Sequence, residues 1–392
     1  MSADQATSGV ADVILHASRK ARINAIQTGF AKGFVRCIPY KTAGLRLRGP
    51  SLQPAVLERA MRSGNKPGKG QFGHILKRLF LTGQYRWFDN LLKRYPQASV
   101  LVWNGIKGHR SLFAYAARQH GRAVVYLEES PLPGRIAVDS EGVNFGASLP
   151  RRIDFYHAWA KETGCPADQW RRNAASLVPR RAAGRSDVGQ EDATEALTSE
   201  NYIFCPLQVP GDSQLTIYGD WITRVGDMID ALAQAADALP EGWHVRIKEH
   251  PSAKQAFGDR LKALRGDKFR VDNATNTMQQ VAHARAVLNV NSSVGLQAFY
   301  FDKPVIVLGH AFYAFDGLAT KVSSQAELGE VFSDPERLAF DGQARDAFMN
   351  YLDSAYYPSE DDLIEGRFTI AQLQARDNAR DAILGALAKG QT

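Results

Sequence analysis

Cysteine is scarce in this chain: Cys37, Cys165 and Cys205 are the three among 392 residues. They make no CxxC pair and no even-numbered framework, which argues against a structural zinc or a disulfide scaffold and fits a reducing cytoplasm. Long apolar runs are missing too, with none near the ~18 residues that would span a bilayer. The opening MSADQATSGVADVILHASRK lacks a basic start followed by an apolar core, so no signal peptide is expected there. No Walker motif occurs and no GxGxxG follows an expected strand (the one match, Gly68–Gly73, has no strand before it), which argues against a P-loop NTPase and a dinucleotide dehydrogenase. Asp-x-Asp pairs, internal repeats and low-complexity tracts are also absent, so a metal-held diphosphate gains no support and no metal or cofactor is expected.

Acidic residues are rare in one region. Residues 1–110 hold 19 Lys+Arg against 4 Asp+Glu, and the remaining 282 hold 29 against 37, within a net charge of +7. A basic half suggests a polyanionic partner: nucleic acid, an anionic membrane surface, or an acidic glycan or glycolipid. The plain alternative is a solvated basic surface. The basic half carries no nucleic-acid reading module, so nucleic acid is not expected as a partner.

What is present is strand–helix alternation, twice. A length of 392 residues suits two domains. SVLVWNG (99–105), SLFAYAARQHG (111–121) and RAVVYLEE (122–129) form a strand–helix–strand unit, which implies a parallel sheet. The pattern then fades, and residues 166–200 read as a polar linker with a short helix at each end. From Asn201 it resumes as about five strands joined by helices, a doubly wound nucleotide-type domain. The last segment, from Arg367, is a long helix. The boundaries expected are 1–165 for an N-terminal α/β domain with a basic surface, 166–200 for the linker, 201–345 for a Rossmann-like domain and 346–392 for a helical segment. Two Rossmann-like domains facing across a cleft would hold ligand beyond the carboxyl ends of their strands.

Four clusters fall at such strand ends. In Glu128–Asn144, Glu128 and Glu129 end a strand, and a Pro/Gly-rich loop follows with Asp139 and Gly142. A rigidly held carboxylate there can act as acid, base or ligand. In Pro206–Leu215, Gln208, Asp212 and Gln214 surround a Pro-Gly turn, where amides can orient a polyhydroxylated ligand or Asp212 can simply cap the backbone. In VRIKEHPSA, strand alternation aims Lys248 and His250 one way and Glu249 the other, and Pro251 stiffens the tip. A rigid cationic pair suits a phosphate; the alternative is a surface ion pair at Glu249 beside a core-edge histidine. In VNSSVGLQAF, a strand runs through Asn291 into Ser292 and Ser293, either of which can cap a helix whose N–H groups bind anions. Gly295 would permit close approach, though a capped helix without ligand is the commoner setting of a single serine pair.

Together these clusters resemble the bacterial capsule polysaccharide biosynthesis family, over roughly residues 100 to 320. The resemblance rests on E-x-x-x-x-P…D-x-x-G-V-N at Glu128–Asn144 and PLQ-x-x-x-D-S-Q at Pro206–Gln214. It extends to K-x-H-P at Lys248–Pro251, N-S-S-V-G-L at Asn291–Leu296 and KPV-x-x-x-G at Lys303–Gly309. It implies a GT-B-like fold and a retaining β-Kdo transferase using CMP-Kdo, with Asp212 and Glu128 as catalytic carboxylates and Asp212 forming a covalent glycosyl intermediate. His250 and the Ser292–Ser293 helix start would hold the CMP phosphate. Ser130 stands where family members carry Gly, and Glu129 beside Glu128 leaves the catalytic glutamate open. The implied partners are a glycan or glycolipid acceptor and other polysaccharide assembly proteins, with peripheral attachment to an anionic inner membrane. Two alternatives are a transferase using another nucleotide sugar and a non-catalytic glycan- or membrane-binding partner.

Overall fold

The structure, a computed structural model, describes residues 12–63, 70–177, 185, 187–253 and 257–390. In chain order the elements begin β1 (Val13–His16), α1 (Ala21–Ala31), β2 (Cys37–Tyr40), α2 (Pro54–Arg62), α3 (Gly70–Arg94), β3 (Ser99–Trp103), α4 (Gly108–Gln119), β4 (Val124–Glu129) and β5 (Ile136–Asp139). They continue α5 (Ile153–Thr163), β6 (Asn201–Pro206), α6 (Ser213–Tyr218), α7 (Val225–Ala236), β7 (Trp243–Lys248), α8 (Gly258–Ala263) and β8 (Phe269–Val271). Then come α9 (Thr277–His283), β9 (Ala286–Asn289), α10 (Ser293–Gln297), β10 (Val305–Val307), β11 (Thr320–Lys321), α11 (Gln325–Ser333) and α12 (Gly342–Tyr351), and finally α13 (Glu360–Glu365) and α14 (Ile370–Ala388).

The elements form two compact units, each around its own sheet. The first comprises residues up to Ser130, Gly134–Ser148 and Leu352 onward. Its sheet runs β2-β1-β3-β4-β5, parallel except for the β4–β5 pair. Strand order reverses between β1 and β3, which places a crevice at their carboxyl ends. The core joins Val13, Leu15 and Leu101 from the strands to Phe30 of α1 and to Leu363, Ile370 and Leu373 of α13 and α14. At Gly29 an added Cβ would lie 2.0 Å from the carbonyl oxygen of Leu363, so α1 meets the turn of α13 backbone to side.

The second unit holds a six-stranded sheet ordered β11-β10-β9-β6-β7-β8, in which every neighbouring pair is parallel. Read from β8, that is the Rossmann order, with its switch point between β6 and β9. Leu207 N–H donates to the carbonyl of Lys248 at 2.9 Å, so β6 and β7 end side by side. Its core gathers Ile203, Val245 and Leu288 from the strands with Met228, Ile229 and Leu232 of α7.

The α/β class with two Rossmann-like sheets and a long last helix is the one expected from sequence. The contacts divide the chain at other points than those expected. α5 packs on α12, with Tyr156 edge-on to Phe348 and Tyr351, so residues from Leu149 go with the second unit. Residues from Leu352 go with the first, because α13 and α14 cover its sheet. The expected linker does carry a short 3₁₀ helix near each end, Gln169–Ser176 and Glu195–Ser199. It is more than a tether, since Trp170 is fully buried and its indole N–H donates to Asp346 at 2.8 Å. Residues 178–184 and 186 of that segment lie outside the described residues. The loop expected after Glu129 contains β5, which pairs Glu128 with Ala137 and Glu129 with Ile136.

Candidate functional site

In the second unit the turn after β6 and the turn after β9 are tied together. Gln208 Nε2 donates to Asn291 Oδ1 at 3.0 Å, and Asn291 N–H donates back to Gln208 Oε1 at 3.3 Å. Asn291 Nδ2 then donates to the carbonyls of Gln214 and Tyr218, both at 3.0 Å. Both amides are buried. They therefore bind no ligand through these groups; they clamp α6 onto the switch point. This matters because Asp212 is the N-cap of α6, accepting from Gln214 N–H at 3.1 Å through Oδ1. Asp212 is half-buried at the mouth of the turn. The capping role and the site role are compatible, since one oxygen does the capping.

Directly beyond Asn291, Ser292 caps α10 by accepting from Val294 N–H at 3.3 Å. Ser293, the first residue of α10, is exposed. The Gln208–Asn291 bridge thus joins the turn that leads to Asp212 to the residue before Ser292. The space at Gly295, expected to admit a ligand, is filled from within. An added Cβ there would lie 2.3 Å from the Tyr313 hydroxyl and 2.4 Å from Asn289 Nδ2. Tyr313 donates to Asn289 Oδ1 at 3.0 Å and to Ser292 O at 2.6 Å, and Asn289 Oδ1 also receives Ser292 N–H at 2.8 Å. Neither Tyr313 nor Asn289 stands out in the sequence, because a buried tyrosine with a chain-internal hydroxyl reads as ordinary core.

The tip of β7 divides sharply. Lys248 is 2% exposed, and its ammonium donates to the carbonyls of Gly189 (2.8 Å), Asn273 (3.0 Å) and Thr275. Three donors meet three acceptors, so Lys248 is spent on the loop beyond β8 and on Gly189 before β6 rather than on a ligand. Burial pushes its pKa down to about 8. Glu249 is likewise engaged, by Arg185 at 3.0 Å, Phe257 N–H at 2.8 Å and Asn273 Nδ2 at 3.1 Å. Burial alone would raise its pKa, but these donors hold it below the usual carboxylate value. At His250, Nδ1 accepts from Ser252 N–H at 3.0 Å, so the neutral tautomer of this ring carries its proton on Nε2.

A cavity of about 560 Å³ opens beside the Asp212 turn, lined by Pro210, Gly211, Thr216 and the start of α7 with Arg224, together with Arg260 of α8. Arg260 pairs with Asp230, and Arg224 lies 3.0 Å from Asp227.

In the first unit the two glutamates separate. Glu129 is exposed and bound to Arg22 at 2.7 Å, and Arg22 also holds Glu360. Glu128 accepts from Asn104 Nδ2 and from Glu129 N–H at 2.9 Å. Desolvation raises its pKa, against the lowering effect of the Asn104 hydrogen bond. A carboxylate whose pKa is raised takes up a proton more readily than an ordinary one. Asn104 has φ of 69° and Gly105 of 70°, the sharp exit of β3 that aims the Asn104 amide at Glu128. Asp139 takes no ligand role here. It is 1% exposed and accepts from Glu141 N–H (2.7 Å), Gly142 N–H (2.9 Å), both groups of Ser148 and the Tyr356 hydroxyl (2.7 Å). Five donors saturate it, so it ties the β5 turn to the segment after α12.

Among the described residues no group of three His, Cys, Asp or Glu side chains is placed to hold a metal ion, and no helix is long and apolar enough to cross a membrane.

Against known proteins, the family profile "Capsule polysaccharide biosynthesis protein" matches residues 174–352. The protein FixF of Sinorhizobium fredii is 28% identical over 363 residues, covering 89% of this chain and 82% of FixF. The capsule polysaccharide export protein KpsS of Escherichia coli is 23% identical over 283 residues, 59% of this chain and 72% of KpsS. Among solved structures, the KpsC β-Kdo 2,7 transferase of Thermosulfurimonas dismutans aligns over 91% of this chain and 98% of its own, at 14% identity and a TM-score of 0.46.

Proposed function

We propose that the protein is a retaining glycosyltransferase of bacterial surface-polysaccharide assembly, a reading supported by the match of residues 174–352 to the capsule polysaccharide biosynthesis profile. It transfers β-Kdo from CMP-Kdo to a glycan or glycolipid acceptor. The observation that carries this reading is the Gln208–Asn291 clamp, which holds α6 and its N-cap Asp212 at the switch point of a Rossmann sheet. That is where sheets of this order bind nucleotides.

In this mechanism the Asp212 carboxylate attacks the anomeric carbon of Kdo, and the bond to the phosphate oxygen breaks as CMP leaves. The acceptor hydroxyl then attacks the same carbon from the vacated face. Its proton passes to Glu128 and Asp212 is released, so two inversions give net retention. Of the two glutamates, Glu128 fits the base, since its pKa is raised by burial whereas Glu129 is committed to Arg22. His250 Nε2 and the first turn of α10 meet the phosphate. Lys248 has no part in this, because its donors are occupied.

Incubation with CMP-, UDP- and GDP-sugars tests the donor. CMP release from CMP-Kdo alone is expected; turnover of a UDP- or GDP-sugar instead would replace the donor assignment, and no turnover of any would favour a non-catalytic binding partner.

A further inference from the structure

The large hydrophobic side chains left exposed among the described residues are confined to residues 35–80. Singly scattered, such residues mean little; contiguous, they mark an interaction surface. Five of them, Phe72, Ile75, Leu76, Leu79 and Phe80, lie on the first half of α3, and each is 49–74% exposed. Their spacing is i, i+3, i+4, i+7, i+8, one face of a helix. The second half of the same helix is core, with Tyr85, Phe88 and Leu92 buried. So the apolar face of α3 outruns the domain that would cover it.

The loop before α2 extends that face. Leu45 and Leu47 are 56% and 92% exposed. They are strapped onto α3 by Arg46 N–H to Gly83 O at 3.1 Å and by Arg86 to the Leu47 carbonyl. An added Cβ at Gly83 would sit 3.3 Å from Leu45. Arg46 and Arg48 alternate with these leucines and are exposed. Across residues 35–86 the sequence has 11 Lys+Arg and a single acidic residue, Glu58. On the structure, Glu58 is already paired with Arg78.

We propose that this face, the first half of α3 with the Leu45–Arg48 loop, seats in the interface of an anionic lipid bilayer. Aromatic and leucine side chains would enter the headgroup–acyl boundary, and the surrounding arginines would meet lipid phosphates. A second copy of the chain fits less well, since a two-fold contact would set the same basic rim against itself. The inference does not rest on the donor or on Asp212, and its test uses neither.

Full-length protein is floated with vesicles of phosphatidylcholine alone and of phosphatidylcholine with phosphatidylglycerol. Binding is expected with the anionic vesicles, at least about tenfold weaker for Leu76→Asp/Leu79→Asp. Arg46→Gln/Arg48→Gln should weaken binding less, with the difference from wild type shrinking as salt screens the headgroups. Phe72→Ser/Phe80→Ser serves as a second variant should the first lose its folded circular dichroism. No binding to anionic vesicles would overturn the proposal, and so would equal binding by wild type and a folded apolar-face variant. A dimer broken by Leu76→Asp/Leu79→Asp, without vesicle binding, would overturn it in favour of self-association.

Discussion

The two units each hold a carboxylate at the end of a parallel strand, and the two carboxylates live under different conditions. Asp212 sits on an open turn after β6, half-buried, with one oxygen accepting a single backbone N–H. Glu128 sits within the β4–β5 ladder, desolvated, with Asn104 as side-chain donor. The first arrangement leaves the second carboxylate oxygen of Asp212 outside the cap, and in the second burial raises the pKa of Glu128. Their acidic neighbours show what a structural carboxylate looks like instead. Asp139 collects five donors and Glu249 three, all from within the protein.

The contrast between the glutamates is the easiest to break. Glu128→Gln should lower transfer by about 10²–10⁴-fold, the usual worth of a positioned base. Glu129→Gln removes an exposed ion pair worth about 0–1 kcal/mol and should change the rate no more than a few-fold. Steady-state rates of the two variants decide between them; equal losses would dissolve the distinction drawn from burial.

A smaller effect sharpens the same contrast. The proposed base Glu128 would act in its ionised form and its pKa is raised, so activity should climb as pH rises through a value above the ordinary 4.5. The Asn104 hydrogen bond favours the carboxylate, so Asn104→Ala should move that acidic limb to still higher pH. A limb that stays put in the kcat/KM profile would mean that another group controls it.

Much of this was legible beforehand. The strands of the second unit are near-continuous apolar runs bounded by turn residues, and the order of the motifs placed Asp212, Asn291 and Ser292 at strand ends. The first unit was not legible before Ser99. β1 is only four residues, β2 carries Pro39, and the apolar residues of α3 split between a buried half and an exposed one. β5 hid inside a Pro/Gly-rich stretch because its partner is the preceding strand. What a residue type could not reveal was where its bonds were already spent. Lys248 in a Lys-x-His-Pro tip invites a phosphate until three carbonyls are found around its ammonium. Gly295 suggests ligand access until Tyr313 is found above it.

The central claim, that Asp212 becomes covalently glycosylated, is tested most directly by intact-protein mass spectrometry after incubation with CMP-Kdo and no acceptor. The comparison is with Asp212→Asn, which can still cap α6. The account predicts a mass increase of one Kdo residue on the wild type, mapping to the peptide that contains Asp212, and none on the variant. An adduct that persists in Asp212→Asn, or full transfer activity in that variant, would contradict it.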